Sequence, residues 1–166
     1  MLSHKLLLKS GYISQLSAGI FSFTPMGWRV ISNIKKIIDD EMKKINCFEA
    51  NLPVIQPSDI WKQSGRIDSF IPPLANFQDR RDKKMIIAPT HEEAVIDLVK
   101  NYLRSFRDLP FSMYHIQTKF RDETRPRGGL LRVREFEMKD AYSFHADEIS
   151  LDETFEKFSA AYFNIF

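Results

Sequence analysis

Residues 113–144 read MYHIQTKFRDETRPRGGLLRVREFEMKDAYSF. From Met113 to Arg121 the residue types alternate, with Tyr114, Ile116, Thr118 and Phe120 on one face of an extended chain and His115, Gln117, Lys119 and Arg121 on the other. That pattern predicts a strand with a core face and a polar face. Pro126-Arg127-Gly128-Gly129 is turn chemistry, and a second extended run follows from about Leu131 to Phe144. Together they predict a long antiparallel hairpin with a basic tip.

Working outward, helices and short strands alternate around this hairpin. Leu6, Leu7, Leu8, Tyr12, Ile13 and Leu16 suggest an opening helix, and Gly19 to Phe23 a strand-like piece. Thr24-Pro25 has the chemistry of a helix start, and Trp28, Ile31, Ile34, Ile38, Met42 and Ile45 follow on one face until about Asn46. Glu49 to Ile55 reads as a strand, and Pro53 and Pro57 place it at a sheet edge. A short strand at Phe77 and another from Met85 to Ala88 precede a helix opened by Pro89-Thr90-His91-Glu92-Glu93, in which Thr90 and Glu93 have capping-box spacing. Ser150 and Glu153 repeat that spacing before a helix that carries Leu151, Phe155, Phe158, Tyr162 and Ile165. The expected fold is α+β, an antiparallel sheet flanked by helices.

The 166 residues suffice for one domain with a real core, and 43% apolar against 28% charged residues excludes disordered, collagenous and coiled-coil classes. No apolar run approaches the roughly 20 residues of a spanning helix, and Met1 to Leu8 has no signal-peptide core, so no membrane partner and a cytoplasmic location are expected. The lone Cys47 excludes an internal disulfide and any multi-cysteine metal site. The net charge of +2 says little, but seven basic residues (Lys119, Arg121, Arg125, Arg127, Arg132, Arg134, Lys139) face four acidic ones within a single window. Five of the seven are arginines, whose planar forks suit phosphates and carboxylates.

Arg121 and Glu123 share one side of the first strand, and Arg132, Arg134, Phe136, Met138, Asp140 and Tyr142 share one parity on the second. An aromatic face for a base, arginines for phosphates and a carboxylate for an exocyclic amine would form an adenine-nucleotide site. Spacing alone favours an ordinary charged hairpin with Arg121–Glu123 and Arg134–Glu137 ion pairs and Phe136 in the core, because most such charge alternation is solvated surface. His91 and His115 read as packed or surface residues, because His91-Glu92-Glu93 lacks the two-histidine spacing of a zinc site.

Phe120-Arg121-Asp122-Glu123, the basic loop after it and Arg134-Glu135-Phe136 resemble the second signature motif of class II aminoacyl-tRNA synthetases. The segment from Thr24 through Pro53 resembles the first. Ser3-His4-Lys5-Leu6, Gly11-Tyr12-Ile13, Leu16-Ser17-Ala18-Gly19-Ile20, Trp61-Lys62-Gln63-Ser64-Gly65-Arg66, Pro89-Thr90-His91-Glu92-Glu93 and the run from Met138 to His145 are similar to blocks of bacterial-type prolyl-tRNA synthetases. In the hairpin, Gly128-Gly129 and Val133 stand where many members of that family have Phe-Gly and Gly.

The resemblance implies ATP-dependent activation of L-proline to prolyl-adenylate and transfer to tRNA(Pro), with Arg121 as the catalytic residue. Arg121, Glu123, Arg132 and Phe136 would bind ATP, with magnesium accompanying the nucleotide and no protein metal ligands. Thr90, Glu92, Arg121 and Tyr142 would bind proline, and Arg125 and Arg127 would reach the tRNA acceptor end. A homodimer through residues 24–55 is implied as well. Residues 1–166 would then be the N-terminal portion of the catalytic domain, carrying the first two motifs without the third, the editing insertion or the anticodon domain, and inactive and marginally stable when isolated. A non-catalytic synthetase-like protein that binds nucleotide or RNA, or a class II synthetase for another amino acid, are the alternatives.

Overall fold

The computed structural model describes residues 1–166. Its centre is the predicted hairpin, in which the strands Phe111–Phe120 (to be called β7) and Glu135–Phe144 (β8) pair antiparallel from Phe111↔Phe144 to Phe120↔Glu135. Before these come α1 (Leu2–Lys9), β1 (Ile13–Ser17), β2 (Ile20–Phe23), α2 (Pro25–Lys44), β3 (Phe48–Glu49), β4 (Ile55–Pro57), α3 (Ser58–Gln63), β5 (Asn76–Gln78), β6 (Lys84–Ile87) and α4 (Glu92–Tyr102). The helix α5 (Glu148–Ile165) closes the order. Three small sheets result: β1-β2, β3-β7-β8 and β4-β6-β5. Every pairing is antiparallel except β3 with β7, which adds a parallel edge to the central sheet.

Helices cover both faces of that sheet. On one, Met42, Cys47, Tyr114 and Ala161 are buried together, with Ile38, Ile116, Ala141 and Phe158 around them, so α2 and α5 pack there. On the other, Leu52, Val95, Val99 and Met113 are buried against Tyr142 and Phe144, which brings α4 over the sheet. Burying one such side chain stabilises the fold by about 1.5–3 kcal/mol. Burial of the Cys47 thiol pushes its pKa up to about 12, which leaves it an inert core residue.

Several expectations fail locally, each for a physical reason. The opening helix stops at Lys9 because Gly11 turns left-handed at φ +70°; Ile13 and Leu16 then lie in β1, paired with β2 across a turn whose Gly19 is also left-handed. The single strand expected from Glu49 to Ile55 is two strands in two sheets, β3 and β4, with Pro53 between them; each lies at a sheet edge, as its prolines require. The second hairpin strand begins at Glu135, since Gly129–Leu131 forms a 3-10 turn. On α2 the apolar stripe is buried only toward its C-terminal half, and Trp28 and Ile34 are each 47% exposed.

Neither proposed capping box forms. The N-cap of α4 is His91, and Thr90 Oγ1 donates instead to Glu92 Oε1 at 2.6 Å. Asp147 caps α5, accepting from the Ser150 backbone N–H at 2.8 Å. Thr24 does cap α2, accepting from Gly27 N–H, while its own hydroxyl donates to Gly11 O at 2.6 Å. The largest correction concerns the polar face of β7: His115 and Lys119 are buried, because α4 lies over them and supplies partners.

Candidate active site

The hairpin narrows at residues 121–134 into a cleft of about 380 Å³ lined by Arg121, Glu123, Leu130, Leu131, Arg132, Val133, Phe136 and Glu137. The four residues expected to bind nucleotide are therefore together. Arg121 lies with its guanidinium carbon 5.4 Å from the Phe136 ring centre, a cation–π arrangement, and its Nε donates to Pro89 O at 3.1 Å. Glu123 Oε2 accepts from Arg132 Nε at 2.6 Å, and that bond holds the Glu123 carboxyl below the usual range. Arg132 engages Oε2 alone, so Oε1 can still accept from an amine.

These contacts overturn the ion pairs that spacing alone permitted. Arg132 pairs with Glu123, Arg134 with Asp122, and Glu137 with Lys35 on α2. Phe136 is half-buried, with one ring face on Arg121 rather than wholly in the core. Arg134 points away from the cleft, over the Phe120 ring at 5.3 Å, and its backbone N–H donates to Gly19 O at 2.7 Å. At the tip Arg125 and Arg127 are exposed, and Gly128 and Gly129 are both left-handed. His4 of α1 packs so closely on Gly129 that a Cβ there would lie 2.7 Å from the His4 side chain.

Arg121 joins this cleft to a second group of residues. Pro89, which it grips, precedes Thr90, and Thr90 is buried beside Glu92 in the first turn of α4, where the helix dipole favours a carboxylate. Glu92 Oε2 accepts from Arg66 Nη1 at 3.1 Å, and the same guanidinium reaches Glu93 Oε1 at 3.2 Å. Arg66 is steadied by the rings of Trp61 and Phe70, 5.6 and 5.4 Å away. Glu92 thus presents a fixed acceptor pair with Thr90 while its side chain stays 45% exposed.

Sequence reasoning missed what lies beneath. Lys119 Nζ, fully buried, is 2.5 Å from His91 Nδ1, 2.8 Å from Asp140 Oδ2 and 3.1 Å from His115 Nε2. Asp140 Oδ2 also lies 3.2 Å from His115 Nε2 and accepts from Tyr142 OH at 2.9 Å. Burial works to raise the Asp140 carboxyl, but hydrogen bonds from His115, Lys119 and Tyr142 outweigh it and hold the group at about 2. Burial pushes His91 down to about 4, helped by the Lys119 charge, and it drives Lys119 downward as well. The Tyr142 hydroxyl is pushed up by burial and by the Asp140 and Glu92 carboxylates. His91, His115 and Asp140 bring three ligand-type atoms within 4.8 Å of one another, but the Lys119 ammonium already supplies the cation among them. The signal was present as the shared parity of His115 and Lys119, which Asp140 joins on one face through the register His115↔Asp140, and it was unreadable without knowing that α4 covers that face.

Comparison with known proteins decides the family. A model of the class II tRNA synthetase core domain (G, H, P, S and T) matches residues 76–166. The chain belongs to this family. The proline–tRNA ligase of Dehalococcoides mccartyi is 53% identical over 165 residues, which cover 99% of this chain and 29% of that relative. The proline–tRNA ligase of Thermotoga maritima is 51% identical over 163 residues, covering 98% and 28%. The class II synthetase chain therefore spans less than a third of the length of these relatives. The prolyl-tRNA synthetase of Giardia lamblia, solved in complex with prolyl-adenylate, superposes with a TM-score of 0.88 at 22% identity over 98% of this chain and 34% of that one. The superposition bears out the α+β class II fold, with helices on both faces of the central hairpin sheet. No helix of this synthetase chain is long and apolar enough to cross a membrane.

Proposed function

We propose that this chain supplies the first- and second-motif elements of the catalytic domain of a proline–tRNA ligase, binding ATP and L-proline for prolyl-adenylate formation and transfer to tRNA(Pro). The observation that carries the reading is the position of Arg121, which stacks on Phe136 in the cleft and grips Pro89 beside Thr90 and Glu92. One guanidinium therefore lies between a base-and-phosphate site and an acceptor pair suited to a secondary ammonium. In this reading the proline carboxylate attacks the α-phosphorus in line and pyrophosphate leaves. Arg121, the catalytic residue, spans carboxylate and α-phosphate and neutralises the charge that develops between them. Glu123 accepts from the adenine amino group, Phe136 stacks under the ring and Arg132 adds a further nucleotide contact. Thr90 and Glu92 hold the imino group, with Tyr142 beside them.

Magnesium enters as part of the nucleotide substrate. Both carboxylates lining the cleft are already paired, Glu123 with Arg132 and Glu137 with Lys35, so this donor set does not suit a protein-held ion and no step is routed through one. Arg125 and Arg127, exposed on the tip, fit contacts to the acceptor end of tRNA, whose terminal ribose hydroxyl takes the acyl group. Exposed Met26, Val30, Ile34 and Ile37 along α2 support a homodimer through residues 24–55. The cytoplasm, where tRNA is charged, is the matching compartment.

The deciding experiment is ATP–pyrophosphate exchange by the protein as its gene produces it. Exchange that requires proline, and that histidine or threonine does not support, is the expected result. ATP or RNA binding without any proline-dependent exchange would instead identify a non-catalytic synthetase-like protein.

A further inference from the structure

The mechanism above leaves unused the most deeply buried cation of the chain. Lys119 has no solvent exposure, and an ammonium has three protons to donate and no lone pair to accept with. Its shortest contact goes to Nδ1 of His91, the middle residue of the Thr90-His91-Glu92 turn. Its next goes to Asp140 Oδ2, the atom to which Tyr142 also donates. Two residues further on, just past the end of β7, is Arg121, which grips Pro89 at the start of that turn. Each connection of Lys119 therefore ends next to a residue that the proposed function places around the amino acid.

We propose that Lys119 is a positioning residue, a buried ammonium that ties the N-terminal turn of α4 to β8 and so sets the gap between the Thr90/Glu92 acceptor pair and Tyr142. The proposal rests on the proline-ligase reading and deepens it. The neighbours of the ammonium support it from every side: His91 from α4, His115 from its own strand, and Asp140 from β8, with the Glu92 and Arg121 charges close enough to act on it. Burying an ammonium is costly, and a methionine would fill the same space without that cost, so its retention needs a reason beyond packing. His91 Nδ1 faces the ammonium, and the Pro53 backbone also acts on the ring, so the contact with Lys119 is one of two that orient the His91 ring.

The test compares Lys119→Met with the double variant Lys119→Met/Asp140→Asn, which removes both buried charges and guards against a variant that merely fails to fold. In proline-dependent exchange both variants are expected to raise KM for proline at least tenfold while KM for ATP stays within threefold. An unchanged proline KM in Lys119→Met overturns the proposal. So does a parallel rise of both KM values, and so does recovery of the proline KM in the double variant, which would make Lys119 only a counter-charge for Asp140. A readout without turnover is the nitrogen-15 spectrum of the histidine rings. Wild-type His91 should be neutral with an accepting Nδ1, and Lys119→Met should shift or split that signal. If the wild type shows no proline-dependent exchange, the functional reading falls and the spectrum alone decides, a His91 signal indifferent to Lys119→Met overturning the positioning role.

Discussion

Arg121 Nε donates to the backbone carbonyl of Pro89 at 3.1 Å, which fixes the tip of β7 to the entrance of α4 through a side chain that also covers the Phe136 ring. The bond commits Nε to the fold and leaves the two terminal nitrogens free, which is what the proposed function requires of an arginine that serves two ligands. Lysine, a point charge, cannot divide its donors in that way.

Arg121→Ala is accordingly expected to abolish adenylate formation, with a loss on the order of 3 kcal/mol or more in transition-state stabilisation, by analogy with removal of a single oxyanion donor. Arg121→Lys should recover only a small part of it. Proline-dependent pyrophosphate exchange measures both, and near-normal exchange in either variant would remove Arg121 from the chemistry.

Phe136→Ala removes the aromatic face of the cleft and the surface on which Arg121 rests. Its expected signature is selective: KM for ATP rises more than KM for proline, because stacking on a base is worth about 1–3 kcal/mol and the acceptor pair at Thr90 and Glu92 is untouched. An equal rise in both would instead indicate that the hairpin core had collapsed.

The hairpin, α2, α4 and the charged cleft were legible in the sequence because each rests on local rules: alternation, a Thr-Pro helix start and three- or four-residue spacing. The elements that were misread depend on partners distant in sequence. Ile13 and Leu16 satisfy a helical pattern as well as a strand, and only the left-handed Gly11 and pairing with Ile20–Phe23 decide between them. Thr90 and Glu93 have capping spacing, yet Glu93 is drawn away by Arg66 and Ser64, more than twenty residues earlier. Lys119 looks solvated because a lysine in an alternating strand usually is; its burial depends on α4 crossing that face, which no periodicity within the strand encodes. The pairing inside the cleft was not legible. Spacing alone permitted an Arg121–Glu123 pair, whereas Glu123 pairs with Arg132, which directly follows the 3-10 turn at Gly129–Leu131.

The buried cluster predicts how stability depends on pH. His91 has a folded-state pKa of about 4 against an ordinary 6.5, so between those values the unfolded chain binds the extra proton and the folded chain does not. Its contribution is fully present above pH 6.5 and is lost as the pH falls from there to about 4, on the order of 3 kcal/mol in all. Asp140, held at about 2 against an ordinary 3.8, adds a second loss at lower pH. Denaturant midpoints should therefore fall steadily from pH 6.5 to 4. His91→Gln should flatten that segment, and a wild-type midpoint constant across it would show that the imidazole is not buried neutral.

The N-terminal unit offers a sharper structural test at Gly27. A Cβ at this position of α2 would lie 2.1 Å from the carbonyl oxygen of Tyr12, a backbone atom that no rotamer change can move aside. That carbonyl also accepts the Thr24 N–H at 3.1 Å, so retreating from the methyl would break the bond that seats the start of α2 on the chain leading into β1. Alanine normally favours a helix over glycine by roughly 1 kcal/mol, so propensity alone predicts that Gly27→Ala stabilises. Overpacking against backbone costs about 1–3 kcal/mol or more and should reverse the sign. Because β1 and β2 carry Gly19, whose carbonyl accepts from Arg134, the displacement should reach the hairpin tip. Thermal unfolding of Gly27→Ala should show a lower Tm together with increased protease cleavage between residues 121 and 134. A Tm equal to or above wild type would mean that α2 does not pack on Tyr12 in this way.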